Sequence, residues 1–129
     1  MLKMHGPAIA AVMVHVPDVA EALVWYGLAF RHAGRRRIGV PEFELLQVGD
    51  VQLEFVLSDA KVSSGPAGSV VYWNVLQFDE ALSHFQSVGA TLYRGPIQIE
   101  EGQSMCQLQD PWRNCIGLRG PSSSDSTRV

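Results

Sequence analysis

Residues 69–89, SVVYWNVLQFDEALSHFQSVG, repeat residues 11–27, AVMVHVPDVAEALVWYG, at a constant offset. Val12 falls on Val71, His15 on Asn74, Val16 on Val75, and Glu21-Ala22-Leu23 on Glu80-Ala81-Leu82. Each copy reads as an apolar run of β-formers followed by apolar residues at spacings of three and four, a strand leading into an amphipathic helix. Two such units in a chain of 129 residues leave room for little beyond two equivalent half-modules. The duplication therefore restricts the fold before any single residue is weighed.

The segments around the repeat fit that reading. Pro17-Asp18 stops the first strand, residues 8–16. Asp18 is a good N-cap, and Glu21 stands three residues on, the capping-box spacing. Val19, Leu23, Tyr26 and Phe30 form one stripe of the following helix. Residues 35–40 and 43–48 are expected to be strands joined at Val40-Pro41-Glu42. Gly49-Asp50 signals a hairpin into the strand 51–57. Residues 58–68, SDAKVSSGPAG, have linker composition. The second half begins with a strand at 69–76 and a helix from Phe78 to Val88, with Phe78, Ala81, Leu82 and Phe85 inward. Thr91-Leu92-Tyr93 is expected to be a short strand, and Gly95-Pro96 to open a loop through Gln103. Ser104–Gln109 and Asn114–Leu118 are expected to form a hairpin around Asp110-Pro111-Trp112-Arg113. VQLEF then sits on NCIGL, so Glu54 falls on Gly117. The expected architecture is α+β: two tandem β-α-β-β-β half-modules, 8–57 and 69–119, forming a curved sheet around a cavity. Residues 120–129 are polar and expected to be a disordered tail.

Charge and composition exclude several function classes. The net charge is −3, and the triplet Arg35-Arg36-Arg37 is the lone basic cluster, so nucleic acid is not an expected partner. No segment approaches the ~20 apolar residues of a membrane span. The start MLKMHGPAIAAVMV has the lysine-then-apolar order of a signal peptide, but the apolar run is the first copy of the repeat and is read as a strand. Two cysteines, Cys106 and Cys115, make neither a zinc site nor a secreted disulfide framework, and a cytoplasmic protein is expected.

The strings VPDVAEALVWY, GATLYRGP and DPWRNCIGL resemble the vicinal oxygen chelate superfamily, the glyoxalase/bleomycin resistance/dioxygenase group. The last string is similar to that family's Asp-Pro-x-Gly-Asn-x-Ile-Glu-Leu signature, with Arg113 where the family has a glycine in the left-handed conformation. The resemblance covers residues 8–119 and implies a cavity, a small-molecule ligand and a homodimer. In the family's metal-dependent members four ligands come from the first and fourth strands of each half; carried over, these positions are Ala11, Glu54, Val70 and Gly117. Glu54 alone has a side chain that ligates a metal, and one carboxylate does not displace the hydration shell of a divalent ion. The usual metal site is therefore expected to be absent, and no cofactor is implied.

Side chains alternate along a strand, which assigns the remaining residues to faces. Met13, His15, Gln52, Glu54, Val56, Tyr72, Asn74, Met105 and Gln107 are the candidate ligand-binding residues, with Val70, Cys115 and Gly117 on the same side. Val12, Val14, Leu53, Phe55, Val71, Trp73 and Val75 face the helices. Cys106 points opposite to Cys115, so no disulfide is expected between them. A few polar groups in an apolar wall suit a small-molecule pocket. Two functions follow: a metal-free protein binding a small, partly aromatic and cationic molecule, or a lyase or isomerase of the glyoxalase type with Glu54 or His15 as general base, metal-free or binding metal unconventionally. Trp112, on the turn, is a candidate cover for the pocket or for a dimer surface.

Overall fold

The computed structural model describes residues 9–61, 63–66 and 69–122. Residues 1–8, 62, 67–68 and 123–129 lie outside the described residues, and with them the start of the expected first strand, part of the linker and most of the expected tail. The chain divides into two compact units with the boundary between Ser63 and Ser64. Each is a β-α-β-β-β module.

In the first, β1 (Ala11–Val16) leads to α1 (Val19–Ala29), then β2 (Gly34–Ile38), β3 (Phe43–Val48) and β4 (Val51–Leu57). The sheet order is β1-β4-β3-β2, with β1 parallel to β4 and the other pairs antiparallel. Asp18 caps α1 as its sequence indicates: its Oδ1 accepts from the Glu21 backbone N–H at 3.0 Å, satisfying one of the four orphan donors of the first turn. The inner face of α1 buries Ala22, Leu23, Tyr26 and Ala29 against β3 and β4. Tyr26 is the centre of this core, with ring centroids 4.8 Å from Phe55, 5.9 Å from Phe30 and 5.0 Å from the edge-on Trp25. Leu46 and Leu53 are fully buried beside them, and Leu45, equally buried, points to the opposite face of the sheet.

The second module repeats the order: β5 (Tyr72–Asn74), α2 (Phe78–Ser87), β6 (Thr91–Ile99), β7 (Gln103–Gln109) and β8 (Cys115–Pro121), in the sheet order β5-β8-β7-β6. Its core is Phe78, Phe85, Cys106, Leu108, Ile116 and Leu118. Ala81 and Leu82, expected inside with them, are only half-buried. Asp79 and Glu80 lie in the first turn of α2 and His84 in the last, the arrangement its macrodipole favours. Gly89, at φ +109, ends the helix. It lets Ala90 N–H donate back to Phe85 C=O at 3.0 Å, and the left-handed conformation carries no Cβ penalty there.

Three segment assignments need correction. The strand expected at 69–76 is three residues long, Tyr72–Asn74, extended by single hydrogen bonds from Gly117 N to Val71 O and from Val75 N to Arg119 O. β6 does not end at Tyr93 but continues through Gly95-Pro96 to Ile99, with register shifts on either side of Arg94. Proline lacks the N–H a central strand needs, but β6 is an edge strand and carries it at an irregularity. Finally, Gly120 and Pro121 belong to β8, not to a tail. Ser122 after them is buried, its N–H donating to Gly102 C=O at 3.0 Å and its hydroxyl to Asp79 Oδ2 at 3.3 Å.

Candidate functional site

In the first module Phe55 packs on α1, so the 52/54/56 side of β4 is the face turned from the helix. Strand register places the expected residues there in pairs: Ala11 beside Gln52, Met13 beside Glu54, and His15 beside Val56. The same face receives Gln47, opposite Gln52, and Arg36, opposite Leu45. Continuing the β3–β4 register sets Leu45 opposite Glu54, so one row across the sheet reads Arg36, Leu45, Glu54, Met13. Arg36 and Glu54 are two strand spacings apart, about 10 Å.

Arg36 is the functional candidate that sequence reasoning missed here, because the arginine triplet reads as one solvated edge. Alternation divides it. Arg36 Nη1 donates to Gln47 Oε1 at 2.7 Å, and Gln47 Nε2 donates to Gly49 C=O at 2.9 Å, which fixes the amide that holds the guanidinium. Arg37 turns the other way, to an exposed ion pair with Glu44 at 3.5 Å. Glu54 is half-buried and makes no side-chain hydrogen bond or ion pair among the described residues. Met13 beside it is 60% exposed.

The second module has the corresponding row, one residue from each strand: Arg94, Gln107, Gly117, Tyr72. Tyr72 pairs with Gly117 as Met13 pairs with Glu54, so the register confirms the equivalence of Glu54 and Gly117. Arg94 stands where the first module has Arg36, and Ile97 where it has Ile38. The register shifts in β6 displace Arg94 from the offset seen elsewhere, which hides this part of the repeat from sequence comparison.

Tyr72 lies over Gly117. A Cβ at position 117 would stand 2.6 Å from Tyr72 Cδ2 and 2.7 Å from Cγ. With no side chain beneath it, the phenol crosses β8 and its oxygen accepts from Gln107 Nε2 at 2.9 Å. Its own O–H and the Gln107 carbonyl oxygen remain available to a ligand. Met105 pairs with Arg119, and so does Asn74, which is exposed. Val70 is half-buried and precedes β5. The structure thus groups Met13, His15, Gln52, Glu54 and Val56 on one sheet, and Tyr72, Asn74, Met105 and Gln107 on the other.

The turn from β7 to β8 is rigidly tied. Asp110 Oδ1 accepts from Trp112 N and Asn114 N, both at 2.8 Å, and Asn114 Nδ2 donates to Asp110 Oδ2 at 3.1 Å. Arg113 has φ +74, in the left-handed region, so this turn keeps the conformation for which glycine is suited and pays about 1 kcal/mol for arginine. Trp112 is half-buried. The cysteines lie on opposite faces of the hairpin: Cys106 beside Leu118 in the core, Cys115 beside Gln109 on the side of Tyr72. Burial pushes the Cys106 thiol up to about 11. Cys115 is also raised by burial, opposed by a hydrogen bond from Gln109 and by the charge of Arg94.

The residues at the four family positions do not fit a metal. Alanine and valine occupy two, and the third, Gly117, is roofed by an aromatic ring that leaves no room for a ligating side chain. Among the described residues no group of three or more His, Cys, Asp or Glu is gathered closely enough to hold a metal ion, and no helix is long and apolar enough to cross a membrane.

No family model and no curated protein matches the sequence. Solved structures do match. A glyoxalase/bleomycin resistance protein/dioxygenase family enzyme from Burkholderia phytofirmans PsJN superimposes with a TM-score of 0.68 at 19% identity, over 86% of this chain and 96% of that one. TnmS3, an antibiotic binding protein from Streptomyces sp. CB03234, gives 0.69 at 20% identity over 93% and 100%. The fosfomycin resistance protein FosX from Mesorhizobium loti gives 0.60 at 12% identity over 97% and 99%. At these identities the likeness is one of architecture, and the chain has the vicinal oxygen chelate fold of the glyoxalase/bleomycin resistance/dioxygenase proteins.

Proposed function

We propose that this chain is a small-molecule-binding protein that keeps the glyoxalase/bleomycin-resistance scaffold and dispenses with its usual metal site. The observation that carries the reading is Tyr72 seated on Gly117. A position that supplies a metal ligand in metal-dependent members of the fold is here the floor beneath an aromatic ring. A ring held by Gln107 is a stacking surface with a hydroxyl at its tip, suited to an organic ligand. The likeness to an antibiotic binding protein, TnmS3, supports the same class.

The faces also define ligand chemistry. Glu54, half-buried and unpaired among the described residues, accepts from a cationic or donor group. In the first module Arg36, at the outer strand, donates to acceptors; in the second Arg94 and the Tyr72 hydroxyl do. Taken by itself, the first face suits a ligand with an amine or similar donor and an acceptor oxygen, and the second suits an aromatic ligand with an acceptor oxygen.

Calorimetric titration with a panel of cationic aromatic drugs, in the presence of a chelator, tests this. Binding is expected without metal. A hydrogen bond to a charged group contributes about 1.5–3 kcal/mol, so Glu54→Gln should weaken a cationic ligand at least tenfold, while Tyr72→Phe keeps the stacking and loses only the hydroxyl contact. Failure of every member of a broad panel to bind would sink the proposal. Stoichiometric metal in protein purified without chelator would overturn the reading of the four positions. Turnover of the methylglyoxal–glutathione adduct that survives chelation and disappears in Glu54→Gln would replace binding with general-base catalysis.

A further inference from the structure

Arg36 and Glu54 are opposite charges on one face of the first sheet, and they do not pair. A neutral amide holds the guanidinium instead. Arg36 Nη1 donates to Gln47 Oε1 at 2.7 Å. Gln47 Nε2 donates in turn to Gly49 C=O at 2.9 Å and, at the longer distance of 3.5 Å, to Val51 C=O. Both ends of the amide are thereby committed to the β3–β4 hairpin, and its carbonyl cannot turn from the guanidinium. Gln47 lies two residues along β3 from Leu45, the residue opposite Arg36, so the arginine is drawn diagonally, out of the row that contains Glu54. Gln47 and Glu54 are themselves diagonal neighbours across β3 and β4, about 7–8 Å apart. The sheet thus keeps a fixed cation and an acid close but separate, and neither has a partner of opposite charge among the described residues.

A pair that served only the fold would close on itself, because a guanidinium bonds a carboxylate more strongly than an amide. Held apart, the two charges fit a molecule that brings both partners. We propose that this face of the first module recognises a compact zwitterionic head, a carboxylate with an ammonium group close beside it, as in an α-amino acid. The proposal rests on the small-molecule-binding reading above and specifies its ligand. The carboxylate meets the N–H groups of Arg36 that Gln47 does not use, and the ammonium donates to Glu54. Gln52, half-buried opposite Gln47, offers its amide between them. Two charge-assisted hydrogen bonds of about 2.8 Å each take up most of the gap, which leaves room for the short charge separation of an α-amino acid rather than for charges at the ends of a long chain. Met13, 60% exposed beside Glu54, gives apolar surface to the rest of the ligand. Gln47 is a positioning residue: it fixes Arg36 without cancelling its charge, whereas a glutamate there would do both.

Calorimetric titration with phenylalanine, phenethylamine and 3-phenylpropionate at neutral pH separates the charges: the first has both, the second only the ammonium, the third only the carboxylate. Wild type is expected to bind phenylalanine at least tenfold more tightly than either analogue, since each analogue loses a hydrogen bond between charged groups. Arg36→Gln should bring phenylalanine level with phenethylamine. Gln47→Glu should do the same while leaving phenethylamine binding unchanged or stronger, a change of selectivity that loss of structure does not produce. Circular dichroism reports the fold of each variant, and if one fails to fold the other decides. The cationic aromatic drugs serve as the reference. If they bind wild type and phenylalanine does not exceed its two analogues, the zwitterion proposal falls and the small-molecule-binding reading stands. If no compound binds, both fall. A preference for phenylalanine that persists in either folded variant also overturns the proposal.

Discussion

Substituting Gly117 by alanine adds one methyl group at the most crowded point of the second sheet. The new Cβ would lie 2.6, 2.7 and 2.9 Å from three carbons of the Tyr72 ring, against the 3.5–4.0 Å of an unstrained carbon contact, so the ring must retreat by close to 1 Å. Two restraints oppose that retreat: Tyr72 is paired to Gly117 itself across β5 and β8, and its oxygen is held by Gln107 Nε2. Overpacking of this kind costs about 1–3 kcal/mol, and loosening the Tyr72–Gln107 bond adds about 0.5–1.5 kcal/mol. Alanine returns about 0.4–1 kcal/mol by restricting the unfolded chain. The net expectation is a loss of about 2 kcal/mol. Urea unfolding of the four proteins of a double-mutant cycle, wild type, Gly117→Ala, Tyr72→Ala and the double variant, measures it. In the Tyr72→Ala background the three closest contacts of the added methyl are gone, so Gly117→Ala should there be neutral or stabilising, a coupling energy of at least about 1 kcal/mol. Equal cost of Gly117→Ala in both backgrounds would refute the placement of the ring, and with it the argument that excludes a ligand at position 117.

Two further perturbations follow from local structure. Arg113→Gly relieves the left-handed residue at φ +74 while keeping the Asp110–Asn114 bonds; it should stabilise by about 1 kcal/mol, raising the midpoint of thermal unfolding by several degrees, and a lowered midpoint would show that the arginine side chain contributes more than its backbone costs. Cys106 has a thiol raised from 9.0 to about 11 by burial, so the unfolded chain ionises first as pH rises: the stability this group contributes is intact below pH 9 and is lost as pH rises toward about 11. Native-state thiol labelling should therefore reach Cys115 and spare Cys106, and Cys106→Ala should flatten the alkaline decline in stability; prompt labelling of both would contradict the burial.

What could be read from the sequence was whatever repeats or alternates. The offset between Val12 and Val71 gives the modules, and period-two alternation puts Glu54 and Gln52 on the face opposite Phe55, as β4 shows. The Asp110–Asn114 turn could be read from its signature even with arginine at the strained position. Legibility ends where an irregularity interrupts the pattern. The register shifts about Arg94 move it off the repeat offset, so its match to Arg36 emerges only from strand pairing. Pro96 reads as a loop because sequence does not say which strand is an edge. Gly117 reads as a missing ligand, but not as the seat of a ring, since the contact with Tyr72 is between residues 45 positions apart joined by parallel pairing. Such contacts depend on which strands the fold makes neighbours, and local pattern carries no record of that.

The two rows across the sheets carry the functional argument further than any one residue. Arg36, Leu45, Glu54 and Met13 in one, and Arg94, Gln107, Gly117 and Tyr72 in the other, start from the same kind of residue and end differently. At the Glu54/Gly117 position one module has an acid and the other has nothing, and the neighbouring position responds in each case: flexible, exposed Met13 beside the acid, a ring beside the glycine. These are matched pairs. Tyr72 can lie flat only because position 117 is glycine, and a ligating side chain could return to 117 only if the ring left. Position 117 is not simply vacant: the Tyr72 ring fills the space above it and is tied to Gln107. Where the first module has the Glu54 carboxylate the second has a ring over glycine, and the proposed function rests on that difference: it is the feature by which an organic ligand is proposed rather than a metal ion.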